Sequence, residues 1–193
     1  VRSILSSESI DALAQLSEQL PAVYERLVNE HATSHMIGSA MSVIGASFMQ
    51  QMAKLAEDEL GPPPVPYCLI ALGSLARDEQ LLVTDQDNAL ILSDDYDENL
   101  HGAYFEKFSK IVCEGLDRCG YPLCEGLIMA SNPKWRMRRS EWRDQFTDWI
   151  DRPEPEALLN ACIFFDLVAV HGTKIWAKEL QKFVSTKARN SKP

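Results

Sequence analysis

The chain has 193 residues, of which 46% are hydrophobic and 24% charged, the proportions of a folded globular protein with one sizeable core or two smaller ones. No apolar run approaches the roughly 18 residues needed to span a bilayer, and the start carries no signal-peptide pattern, so we expect a cytoplasmic protein without a membrane partner. The net charge of −9 is uneven: −5 over residues 1–60, −8 over 61–132 and +4 over 133–193. An acidic middle repels nucleic-acid phosphates, which argues against a broad nucleic-acid surface and suits a carboxylate site that holds a cation. The five cysteines, Cys68, Cys113, Cys119, Cys124 and Cys162, form no disulfide framework or zinc motif and read as small buried hydrophobes.

In chain order, residues 8–60 read as helical. Ile10, Leu13, Leu16, Leu20, Tyr24 and Leu27 recur at three- and four-residue steps, with Pro21 kinking the run or starting a new helix. A second stripe, Ile37, Met41, Ile44, Phe48, Met52 and Leu55, reads as core, or alternatively as a Met-rich face for a partner or a homodimer. Gly61-Pro62-Pro63-Pro64 ends the helices. The run Tyr67–Leu72 reads as a buried strand closed by Gly73-Ser74, and Asn88–Leu92 as a second strand. A helix is expected from about His101 to Arg118, capped by Gly120, then a third strand over Leu123–Met129. After Asn132-Pro133, helices are expected over Arg139–Ile150, Glu154–His171 and Lys174–Ser185.

The fold expected is α+β: an N-terminal helical bundle over 1–62, a small mixed sheet with helices over 63–136, and a C-terminal helical substrate-binding region over 137–193.

The chemistry concentrates in Gly73–Gln80 and Thr84–Ile91. Residues two apart on a strand share a face, so Asp85 and Asp87 project side by side. Two adjacent carboxylates raise each other's proton affinity unless a cation sits between them, and Mg²⁺ (one or two ions) is the natural occupant, its shell completed by triphosphate oxygens. Gly73 and Ser74 at a strand end offer a phosphate close backbone approach and a hydroxyl, and Arg77 offers a forked charge-assisted contact. Lys134, Trp135 and Arg136 open the densest basic stretch. They read either as a solvated helix face or as a loop in which Trp135 stacks on a base while Lys134 or Arg136 contacts phosphate. Asp166, on an apolar helix, is expected to anchor an arginine or face the cleft.

The stretch GSLARDEQLLVTDQDNALI resembles the DNA-polymerase-β-like nucleotidyltransferase superfamily, marked by Gly-Ser followed by a strand bearing Asp-x-Asp. It is most similar to the bacterial branch near the PII-uridylyltransferase, as are Gly120–Cys124, Met129–Arg136 and Phe164-Phe165-Asp166. The resemblance covers about residues 8–185. It implies transfer of a nucleoside monophosphate from an NTP to a hydroxyl of a protein or small molecule, with Asp85 and Asp87 binding metal and Gly73, Ser74 and Arg77 holding phosphate. The superfamily also supplies a third carboxylate from a later strand, and Glu125 is the candidate here. Val168 stands where the branch has an arginine. The branch often follows CBS or cyclic-nucleotide-binding sensor modules. Together with a chain that starts inside a helical lead-in at Val1, this implies sensor domains upstream. The competing expectation is a regulatory module that binds nucleotide without turnover.

Overall fold

The computed structural model describes residues 1–191, apart from the side chains of residues 156 and 157. Four helices open it: α1 (Arg2–Leu5), α2 (Ile10–Ser17), α3 (Leu20–Asn29) and α4 (Ser34–Leu60). Their ends follow from local chemistry. Ser9 accepts a hydrogen bond from the Ala12 amide to cap α2, Thr33 accepts from Met36 to cap α4, and Pro21 occupies the first turn of α3, so it starts a new helix. Gly61, at φ 85°, ends α4.

The sheet and the remaining helices follow as β1 (Tyr67–Leu72), α5 (Gly73–Ala76), β2 (Asn88–Leu92), α6 (Glu98–Arg118), a 3₁₀ turn (Pro133–Trp135), β3 (Arg136–Arg138), α7 (Arg139–Asp151), α8 (Pro155–Phe164), β4 (Leu167–Gly172) and α9 (Ile175–Asn190). The strand order is β3-β2-β1-β4, with β1 antiparallel to β2 and β4, and β2 parallel to β3. This is an α+β fold around a four-stranded mixed sheet.

β1 is buried along its whole length because both faces of the sheet are covered. Tyr67, Leu69 and Ala71 face one layer with Phe48 and Met52 of α4 and Phe105 and Phe108 of α6. Cys68, Ile70 and Leu72 face the other, with Trp142 and Phe146 of α7, Phe164 of α8 and Leu180 of α9. The period-two alternation of a strand thus divides one apolar run between two cores. Glu57 ties the first layer to the sheet, accepting from the Tyr67 hydroxyl at 2.6 Å and lying 3.1 Å from His171 Nε2 on β4.

Two expectations are corrected. Leu167–Gly172, read as the end of a long helix, is the edge strand β4, so the C-terminal region contributes to the sheet as well as helices. Leu123–Met129, read as a strand, is a turn: Leu127 has φ 53° and donates its amide to Cys124, and the segment meets the rest of the fold through an isolated parallel bridge of Gln86 with Leu123 and the bond from the Asn88 amide to the Ile128 carbonyl.

Candidate nucleotidyltransferase site

β1 ends at Leu72, where the chain swings through Gly73 into α5. Gly73 is required there for two reasons. Its φ of 58° is a left-handed conformation that other residues adopt at a cost of about 1 kcal/mol or more, and a Cβ would lie 2.6 Å from Asp87 Oδ2. The close approach of Asp87 to this turn is fixed by the backbone, since the Leu72 amide donates to the Asp87 carbonyl at 3.0 Å.

Asp85 and Asp87 lie in the extended lead into β2, and alternation divides the Asp85-Gln86-Asp87-Asn88 segment between two directions. The two aspartates converge at the site, while Gln86 and Asn88 are buried against the 121–130 loop. Gln86 Nε2 donates to the carbonyls of Cys113 and Tyr121, both at 2.9 Å, and the Gln86 amide donates to Pro122. Asn88 Nδ2 donates to Gln86 Oε1, and Asn88 Oδ1 accepts from the Ala130 amide at 2.8 Å. These bonds hold the loop that brings Cys124 to the aspartates. The Cys124 thiol and a carboxylate oxygen from each of Asp85 and Asp87 all lie within 4.8 Å of one another.

Burial pushes the Asp87 carboxyl above its ordinary value. Asp85 adds to that push, while a hydrogen bond with Cys124 and the charge of Arg77 oppose it. Burial likewise raises the Cys124 thiol, to about 11, with the Asp87 carboxylate adding to it. Two carboxylates converging in a partly desolvated site repel one another and favour a cation between them. Asp85 and Asp87 supply hard oxygens of the type that Mg²⁺ takes, so this pair fits the ion.

A small cavity adjoins the pair, with Gly45, Ser74, Gln80, Asp85, Asp87 and Tyr121 in its lining. Gln80 Oε1 and Tyr121 Oη are buried without a hydrogen-bond partner among the described residues. Arg77, at the end of α5, has Nε 2.9 Å from Glu79 and Nη1 3.8 Å from Asp166. Asp166 therefore does meet an arginine, from the turn before β4 rather than from within a helix.

The other expected site residues lie elsewhere. Glu125 sits in the exposed turn after Cys124 and is not part of the three-residue cluster. The strand expected to carry it is absent here, and its neighbours Leu123 and Leu127 are 45% and 59% exposed, so no buried face turns it toward the aspartates. Trp135 is 3% exposed and its indole N–H donates to Leu127, so it belongs to the core and cannot stack on a base. Arg136 Nη1 is spent on the carbonyls of Ala130 and Ser131 at 2.9 and 3.1 Å, stapling the loop. Lys134 lies over the Trp135 ring and lines a cleft with Asp148, Trp149 and Arg152, away from the aspartates. Sequence reasoning missed Cys124, Gln86 and Asn88. The last two carried a signal, because two amides leading into an apolar strand must find buried partners.

An α+β sheet whose central strand ends in a Gly-Ser turn beside two converging aspartates is of nucleotidyltransferase type. The chain belongs to the family described as "Putative nucleotidyltransferase DUF294", whose model matches residues 18–156. No curated protein matches it. Among the described residues no helix is long and apolar enough to cross a membrane.

Proposed function

We propose that this protein is a Mg²⁺-dependent nucleotidyltransferase that moves a nucleoside monophosphate from an NTP to a hydroxyl of a protein or small molecule. The observation that carries this reading is the convergence of Asp85 and Asp87 beside Gly73, in a chain of nucleotidyltransferase family. Asp85 and Asp87 would hold the metal, which when bound supplies charge neutralisation and polarises the α-phosphoryl group. Ser74 faces the cavity and would donate to the β/γ end of the triphosphate. Arg77 would exchange its Glu79 and Asp166 contacts for phosphate oxygens.

In the transfer, the acceptor oxygen bonds to the α-phosphorus as the bond from that phosphorus to the pyrophosphate oxygen breaks. The hydroxyl proton leaves to water. The acidic surface favours a compact acceptor over a long nucleic acid. Sensor domains upstream, which the branch resemblance implies, would make this a regulated module.

The position of Glu125 favours a second reading, a nucleotide-binding regulatory module with slow turnover or none. One pair of measurements tests both. Calorimetry should find Mg²⁺-dependent NTP binding that Asp87→Asn abolishes without unfolding the protein; equal affinity with and without Mg²⁺, and in the variant, sinks the metal assignment. Mass spectrometry of acceptors incubated with labelled NTP then separates transfer from binding alone.

A further inference from the structure

Cys124 is the feature of this site that magnesium chemistry leaves unexplained. Mg²⁺ takes hard oxygen ligands, and a thiol is not among them. Yet the cluster that the fold assembles is two carboxylates and one sulfur, all within 4.8 Å. Among the described residues no other three histidine, cysteine or acidic side chains come together in this way. The sulfur is not there by accident of a mobile loop, since Gln86, Asn88 and Arg136 fasten that loop from both sides. A second observation points to a ligand at the same place. Gln80 and Tyr121, only 3% and 5% exposed, line the cavity that Asp85 and Asp87 border, with Oε1 and Oη unpartnered and open to a water or ligand entering it.

We infer that Asp85, Asp87 and Cys124 form a site for a thiophilic divalent cation, zinc above all, which competes with magnesium for the two carboxylates. The inference rests on the reading of Asp85 and Asp87 as metal ligands. Three protein ligands with one open position is the pattern of an accessible zinc site, and mixed sulfur and oxygen donors favour zinc over magnesium. On binding, the Cys124 S–H bond breaks, a sulfur–metal bond forms and the proton passes to water, so uptake weakens as pH falls.

Cadmium is the spectroscopic probe, because its thiolate complexes absorb in the ultraviolet. Cys162 is exposed and would bind cadmium by itself, so Cys162→Ser is the background. That protein should show a cadmium–thiolate band saturating at one ion per chain. Adding Cys124→Ser should remove the band, and adding Asp87→Asn should weaken binding by roughly tenfold or more. If Cys124→Ser does not fold, X-ray absorption at the zinc edge of the Cys162→Ser protein reads the sulfur neighbour directly. A band that survives Cys124→Ser, or a zinc shell without sulfur, overturns the inference. Mg²⁺-dependent NTP binding is measured on the same Cys162→Ser protein. If it is present and no band forms, the zinc site alone falls; if neither appears, both readings fall. A band without nucleotide binding keeps the cation site and removes the transferase.

Discussion

The two faces of the sheet are built to different standards. Both carry packed aromatic rings, and the difference lies in how their polar atoms are satisfied. On the α7/α8/α9 face Trp135, Trp142, Phe146, Trp149 and Phe164 meet at centroid separations from 4.5 to 6.4 Å. Its two most buried indoles are satisfied, Trp142 donating to Leu90 and Trp135 to Leu127. The α4/α6 face carries the polar atoms left without partners, Gln80 Oε1, Ser109 Oγ and Tyr121 Oη. Two of these three border the cavity beside Asp87. A buried polar atom without a partner is destabilising, so this face gives up stability where the site lies, while the opposite face satisfies its indoles.

The sharpest way to break that contrast is Trp142→Ala. The side chain is fully buried, and its loss leaves a cavity and removes the hydrogen bond to the Leu90 carbonyl, so chemical denaturation should show destabilisation of about 3–5 kcal/mol. A loss below about 1 kcal/mol would mean that the α7/α8/α9 face is not tightly packed around Trp142.

Next is Asn88→Ala, which leaves the Ala130 amide and Gln86 Oε1 without their partners and should cost about 1–3 kcal/mol. Because it loosens the loop at the site, hydrogen exchange should rise across residues 121–130 while β4 stays protected.

A smaller effect is expected at Asp94, which accepts from both the amide and the hydroxyl of Ser140 and so satisfies the first turn of α7. Asp94→Ala should cost about 0.5–1 kcal/mol. These hydrogen bonds, first that from the Ser140 amide, hold the Asp94 carboxyl below its ordinary value. A carboxyl depressed on folding contributes stability that is present above the unfolded value, near pH 4, and is lost as pH falls through the folded one. The difference between wild type and variant should therefore shrink below pH 4.

Smallest is Tyr121→Phe. Removing a hydroxyl that has no partner should change stability by less than about 1 kcal/mol, in the stabilising direction if at all. A large loss would show that the α4/α6 face is as fully satisfied as its counterpart.

The same contrast governs what could be read from the sequence. The long helices and both central strands were legible because their apolar residues follow one period over many positions. Asp85 and Asp87 were legible because spacing alone sets which way they point. β4 was not: Leu167–Gly172 is an edge strand with Val168 exposed, and its apolar residues also fit a helical step continuing from Phe164. β3 is three residues, Arg136–Arg138, with Met137 its single apolar position, too little to show a period. The 121–130 loop is apolar enough to pass for a strand, yet its shape is imposed by Gln86 and Asn88 from a distant part of the chain. Cys124 enters the site only through those tertiary bonds, and nothing local announces it.

The strand order has a further consequence for how the protein comes off the ribosome. Central strand β1 is paired on one side with β2, about twenty residues on, but on the other with β4, where Cys68 meets Gly172. Until the last of those residues has been synthesised, the nascent chain holds a fully apolar strand with one row of amides and carbonyls open. Such an edge is a template for pairing with another chain. Closure by a contact so remote in sequence is slow, because the entropy of the long loop must be overcome before the pairing gives anything back. The step most exposed to aggregation is thus the wait for β4, and a chaperone that shields Tyr67–Leu72 during that interval would act at the point of greatest need.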